Sequence, residues 1–199
     1  MKPGKYLLAL LCVLSLNAAW SQETDGKCFI GSSLFMLMNL APDPASFYQL
    51  DFGYRFTEKD ALIIEALTWE YRGPLGIPWG SSGESSDYSY PGYVKAWGVG
   101  IDYQHMIWKG FFSTVQATPF IQEFRDTEDK KIGSGFQLFL QLRLGYHQKI
   151  FSKRFYIEPS VVCNYWPINT DFPESFSRVE RKWPNYFLFE PGLNFGINF

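Results

Sequence analysis

Beyond residue 22 the sequence lacks any long hydrophobic run, and it is poor in the residues that carry enzyme chemistry. No later stretch approaches the roughly 18 uncharged apolar residues that a transmembrane helix needs. There are two histidines, and the chain contains no G-x-S-x-G, H-E-x-x-H or Cys/His metal spacing. The formal charge is −2, and the sequence contains no basic patch, which argues against nucleic acid as a partner. We therefore predict a non-enzymatic protein without a metal site or a cofactor.

The first 21 residues have the layout of a secretory signal peptide. Lys2 and Lys5 precede an apolar run over 6–16, and Ala19-Trp20-Ser21 offers small residues at the cleavage positions. An uncleaved anchoring helix would need a longer run. This pattern predicts export, removal of 1–21 and a mature domain over 22–199.

The mature chain keeps two cysteines, Cys28 and Cys163. An oxidising compartment would permit a disulfide between them. The strands predicted below place them on non-adjacent strands, so we expect two free, buried thiols. No lipobox-like triplet precedes Cys28, so we expect no lipidation.

The dominant pattern of the mature chain is an alternation of apolar and polar residues with period two, which is typical of β-strands. In the last segment one apolar face consists of Phe187, Phe189, Pro191, Leu193, Phe195, Ile197 and Phe199. Eight segments are predicted as strands: 28–40, 47–56, 60–72, 92–107, 110–124, 134–147, 153–166 and 186–199. Most are much longer than the roughly 5–6 residues usual in soluble proteins.

The connections alternate between short and long, as in outer-membrane barrels with tight periplasmic turns and longer outer loops. The short ones are 57–59, 108–109 and 150–152, and the long ones are 73–91, 125–133 and 169–183. Without a helix that could span a membrane, only a closed barrel would satisfy its own backbone in lipid. We therefore predict an all-β fold: a closed, antiparallel, up-and-down transmembrane β-barrel of about eight strands.

The placement of charge separates a membrane barrel from a soluble barrel, which is the alternative. A soluble barrel would carry Lys and Glu along its polar, outward faces, whereas the polar faces here hold mainly Gly, Asn, Gln, Ser and Tyr. The apolar faces carry Lys95, His105 and Glu123 only near strand ends, where a charge costs little in a bilayer. This pattern favours an apolar face that contacts lipid.

The end of the chain carries a family resemblance. Leu193, Phe195, Ile197 and the terminal Phe199 resemble the C-terminal signature of outer-membrane proteins, and residues 27–199 resemble the small OmpX/OmpW-like β-barrel class. The resemblance implies an outer-membrane location, contact with outer-membrane lipid and recognition of Phe199 by the barrel-assembly machinery. It leaves the activity open, because the class includes structural proteins, adhesion factors, narrow conduits and a few lipid A-modifying enzymes.

Seven charged residues are predicted to face the lumen. An eight-stranded barrel is just wide enough for side chains to fill it, so these charges must pair or meet water. We expect a packed polar network, with an ion pair between Arg143 and Glu158; the alternative is a set of carboxylates that bind protons or a cation. The seven residues are Asp51, Arg55, Glu65, Asp102, Arg143, Glu158 and Glu190.

Three prolines fall inside predicted strands, although proline removes a ladder donor and is normally confined to edges and bulges. They are Pro119, Pro159 and Pro191. We predict β-bulges at Glu158-Pro159 and Glu190-Pro191.

The long loops are rich in aromatic residues that could bind a surface partner or pack together: Trp79, Tyr88, Tyr90, Phe172, Phe176 and Trp183. The function predicted first is a structural or surface-interaction role with a filled polar lumen. The second is a narrow conduit or binding protein for a small apolar molecule. The third, a lipid A-modifying hydrolase, would use His105, Ser113 and Glu123 on the lipid-facing side.

Overall fold

The structure is a computed structural model that describes residues 26–41, 44–77, 88–151 and 154–199. The predicted leader and Trp79 lie outside these ranges. The strands are β1 (Cys28–Ser33), β2 (Tyr48–Arg55), β3 (Asp60–Tyr71), β4 (Tyr93–Trp108), β5 (Phe111–Arg125), β6 (Lys131–Tyr146), β7 (Gln148–Ile150), β8 (Phe155–Asn169) and β9 (Tyr186–Asn198). A 3₁₀ helix spans Leu34–Leu40, and α1 spans Glu174–Glu180. Neither these helices nor any other helix in the described ranges is long and apolar enough to cross a membrane.

Eight strands form a closed, antiparallel ring. Each strand from β1 to β5 pairs with the next, β6 pairs with β8, β8 with β9, and β9 with β1. The short β7 extends the β6 side of the hairpin with β8. The all-β, eight-stranded antiparallel prediction is confirmed. We call the end with the short connections 56–59, 109–110 and 151–154 the turn end, and the opposite end the loop end.

Compared with a soluble protein, the ring has an inverted distribution of polarity, with apolar side chains outside and polar side chains inside. On its outward face, apolar side chains such as Leu50, Ile64 and Val99 are 52–60% exposed. On its inward face, Glu65 and Asp102 are 2% exposed. The alternation of the sequence is therefore realised with the polar side chains inside.

The first strand is shorter than predicted. The segment 28–40 is extended only to Ser33, whose hydroxyl accepts a hydrogen bond from the Phe35 N–H at 3.2 Å and so caps the 3₁₀ helix. The following residues, LFMLMNL, do not alternate, and therefore have no polar face to turn into the ring. As a result β1 pairs with β9 only over Phe29–Ser33.

The prolines affect the strands differently. Near Pro191 a bulge places one extra residue in β9 between Phe187 and Glu190, which confirms that prediction. This bulge turns Phe187 inward against the core, so the prediction that it shares an outward face with Phe189 is wrong.

At Pro159 the predicted bulge is absent. The register of β8 with β6, β7 and β9 runs unbroken past this residue, as does that of β5 past Pro119. Instead, the ladder opposite Pro159 is interrupted between β6 and β7. At this break the backbone N–H of His147 donates a hydrogen bond to the Gly110 carbonyl rather than to β8. A further bulge in β8 lies at Trp166-Pro167. The predicted strand ends at residue 166, so Pro167 is not among the prolines expected within strands.

Candidate functional site

The interior of the ring is layered. At the loop end an aromatic core surrounds Phe124, Trp166 and Phe176, each no more than 1% exposed. At the turn end a smaller cluster contains Phe29, Ala61, Ile63 and Tyr156. The charged residues predicted to face inward lie between these two apolar layers, and form the candidate site.

Most interior carboxylates take hydrogen bonds from neutral amides. The Nε2 groups of Gln49 and Gln116 donate to Asp51 (3.0 Å) and Glu65 (2.7 Å) respectively. Glu190 accepts from the Asn164 amide at 2.6 Å. A buried charge needs such partners because it has lost its hydration, and the glutamines and asparagines on the same faces provide them.

Glu158 has two polar side-chain partners. It accepts from Gln104 at 3.1 Å, and its Oε1 lies 2.8 Å from Nδ1 of His147. The ring of His147 also packs against Tyr156. In the alternating segment 134–147, His147 has the same parity as the inward-facing Arg143, but parity does not identify its partner.

The predicted ion pair between Arg143 and Glu158 is wrong. β7 ends at Ile150 and β8 begins at Phe155, in a register that places Arg143 opposite Val162. Arg143 instead packs over the Phe112 ring at 5.8 Å, and its Nε has no hydrogen-bond partner. Arg143 is the only buried Lys or Arg in the described ranges, and it shares the interior with the buried carboxylates of Asp51, Glu65, Asp102 and Glu158.

Five of the seven predicted lumen residues are buried in this layer, and two lie at its borders. Asp51, Glu65, Asp102, Arg143 and Glu158 are no more than 7% exposed. Arg55, at the turn end, donates to the Gly26 carbonyl at 3.2 Å and lies over the Phe29 ring. Glu190 is half-buried in β9.

The inward side of β5 is packed rather than open. Side chains that lined a water-filled channel would retain exposed surface. In β5, the inward residues Thr114, Gln116, Thr118 and Gln122 are at most 4% exposed along the strand. The described part of the ring therefore has no continuous channel along this wall.

The loop aromatics close the loop end. Tyr90 is 5% exposed and stacks on Phe176, and Phe172 packs on Phe124 with ring centroids 4.7 Å apart. Tyr88 lies against Trp183. Tyr90 is thus part of the packed core, and is not available as a surface aromatic.

The half-buried carboxylate of Glu180 ties α1 to the loop segments that close the loop end, which together we call the cap. The Tyr90 hydroxyl and the Asn169 amide both donate to Glu180 of α1. Burial raises the pKa of Glu180 above its ordinary value of 4.5, although these hydrogen bonds oppose the shift.

The three residues of the hydrolase hypothesis do not come together. His105 lies opposite Ser113, but its Nδ1 is 2.7 Å from Oδ1 of Asp60. Glu123 is ten positions beyond Ser113 on β5, about 33 Å away at 3.3 Å per residue. There it pairs with Arg125 and Lys131.

Cys28 and Cys163 are both free, as predicted, but both are half-buried rather than buried. Within the described ranges, no three His, Cys, Asp or Glu side chains are arranged to hold a metal ion. Comparisons with protein-family models, with curated proteins and with solved structures find no match.

Replacing Arg143 by Met should destabilise the protein by about 3 kcal/mol, because the interior carboxylates lose a shared positive charge that they cannot replace with water. The free energy of unfolding in urea, measured in detergent, tests this. The control is Arg178→Met on α1, where the side chain is 72% exposed. Equal stability of the two variants would show that Arg143 does not hold the interior together.

The cap should loosen as the pH rises. Because the pKa of Glu180 is raised in the folded protein, the folded state binds its proton more readily. The resulting stabilisation is present below pH 4.5, and is lost as the pH rises through the folded pKa. Amide hydrogen exchange of 172–180, corrected for the intrinsic rate, should show this loss, and Glu180→Gln should abolish it. Glu174→Gln, at an exposed position of α1, should retain it.

Proposed function

We propose that the ring is a transmembrane β-barrel of a bacterial outer membrane, with a filled polar interior and a structural or surface-interaction role. The observation that carries the proposal is the inverted polarity: Leu50, Ile64 and Val99 are 52–60% exposed, while Glu65 and Asp102 are buried. In water, exposure of so many large apolar side chains would be unfavourable. In a bilayer the same surface contacts acyl chains.

The dimensions and the charges of the outward face agree with this environment. The 15 residues of β5 extend about 50 Å, and at a tilt of about 40° they rise about 38 Å, more than the apolar band of about 25 Å. Outward ion pairs occur near the two ends, such as Lys95–Glu70 at the loop end and His105–Asp60 at the turn end. Between these ends the outward residues are mainly apolar.

The orientation follows from the predicted export. Short turns face the periplasm in outer-membrane barrels, so the turn end and Phe199 would lie there, where the assembly machinery acts. The loop end would face outward, and present α1 with exposed Glu174, Arg178 and Arg181 above the aromatic core. We assign the surface-interaction role to this charged cap, and no catalysis to His105.

A conduit or binding protein for a small apolar molecule is the second candidate. The observation that favours it is the aromatic compartment of the loop end, which could hold an apolar guest if the packing opened.

Membrane insertion is tested with two variants that each retain one tryptophan. Trp97 faces outward and is 37% exposed, whereas Trp166 faces inward and is 1% exposed. In vesicles of brominated phosphatidylcholine, fluorescence of Trp97 should be quenched and that of Trp166 should not. Quenching of neither residue, or recovery of the processed protein in the aqueous fraction of cells, would overturn the proposal.

The filled interior is tested by reconstitution of the wild-type protein into planar bilayers. We expect no steady conductance, because the interior side chains exclude water along the ring. Stable unitary currents that disappear when the protein is omitted would favour the conduit instead.

A further inference from the structure

The pairing of β1 with β9 is incomplete. β1 pairs with β9 from Phe29–Asn198 to Ser33–Asn194, and there β1 ends. Above this level β9 continues through Leu193 to Tyr186 and pairs with β8, while the 3₁₀ helix stands where a longer β1 would have continued. We call the contact between the 3₁₀ helix and residues 186–193 the seam.

The 3₁₀ helix is fastened to the β2 side of the seam. The Asn39 amide donates to the Phe47 carbonyl at 2.7 Å, and its oxygen accepts from the Phe47 N–H at 2.8 Å. The Phe35 ring packs edge-on against Phe47, and the Ser32 hydroxyl donates to the Gln49 carbonyl. The two walls of the seam are therefore anchored separately, one to β2 and the other to β8.

The β9 wall is unsuited to an added strand. Pro191 has no N–H to donate, and Phe189, in the bulge, has a φ of +60°. Proline and bulges are the features that block pairing at a sheet edge. An occupant of the seam must therefore bind through side-chain contacts rather than as an added β-strand.

The seam combines an apolar rim with one carboxylate. On the outward side Leu37 is 59%, Leu40 82% and Phe189 74% exposed. On the inward side Glu190 is half-buried and accepts from Asn164. No Lys, Arg or His of the described ranges lies within 4.0 Å of its carboxylate.

We propose that the seam binds a single-chain amphiphile that bears a protonated amine. The alkyl chain lies along the apolar rim of the 3₁₀ helix and β9, and the ammonium pairs with Glu190. An ammonium group fits because it only donates hydrogen bonds and carries the charge that the carboxylate lacks. The inference rests on the proposed membrane location, since this places the rim among alkyl chains.

The test compares three probes with the same chain and different head groups: decylamine, decanol and decanoate. Each is titrated calorimetrically into the wild-type protein in phosphatidylcholine nanodiscs, with empty nanodiscs subtracted. Decylamine should bind about tenfold more tightly than decanol or decanoate, which corresponds to one charge-assisted contact. Equal affinities for decylamine and decanoate would overturn the proposal.

Variants locate the site. Glu190→Gln should bring the affinity for decylamine to that for decanol, whereas Glu174→Gln, on the exposed face of α1, should leave the tenfold preference intact. Leu37→Ala should weaken all three probes to a similar extent, and provides a second test if Glu190→Gln does not fold. An equal loss in Glu174→Gln and Glu190→Gln would mean that decylamine responds to general surface charge, and would overturn the seam assignment. Failure of Trp97 quenching would instead refute the membrane location, so the two failures are distinguishable.

Discussion

The cost of burying carboxylates inside the ring governs the composition of the inward faces around them. Asp51, Glu65, Glu158 and Glu190 each have an amide donor from a neighbouring Gln or Asn on an inward face. An amide can be buried at much lower cost than a lysine, because it has no charge to desolvate. This explains why Gln and Asn lie beside the carboxylates on the inward faces, and why Arg143 is the only buried Lys or Arg in the described ranges.

The two apolar layers complete this arrangement. Hydrogen bonds and charge interactions are stronger where water is excluded, so a polar layer gains from being covered at both ends. The ring supplies the cover at the turn end with Phe29 and Tyr156. At the loop end the cover comes from a loop segment, α1, which inserts Phe176 and ties itself down through Glu180. The packing of α1 therefore both folds the loop between β8 and β9 and covers the loop end of the interior.

Much of this architecture could be predicted from period-two alternation, because parity alone determines which face a strand residue occupies. Asp51, Asp102, Arg143 and Glu158 are inside for that reason. Partners are harder to predict, since they depend on register. The predicted centre of the connection between β7 and β8 is one to two residues too early. Because each residue of such an error shifts the partner by two positions, Arg143 lies opposite Val162 instead of Glu158. Likewise, the contact between Asp60 and His105 joins residues 45 apart, and only the pairing of β3 with β4 reveals it.

Two departures from alternation, the early end of β1 and the bulge in β9, meet at the seam. A proline such as Pro191 is expected at a strand edge rather than within a closed sheet, and the early end of β1 gives β9 such an edge. The ring nevertheless stays closed, because its first and last strands meet at the turn end, where Cys28 and Phe199 exchange two backbone hydrogen bonds of 3.2 and 2.9 Å. Separation of the 3₁₀ helix from β9 would leave these bonds and the polar layer intact. The contact between the 3₁₀ helix and β9 is therefore the part of the ring that can separate without breaking the hydrogen bonds that close it.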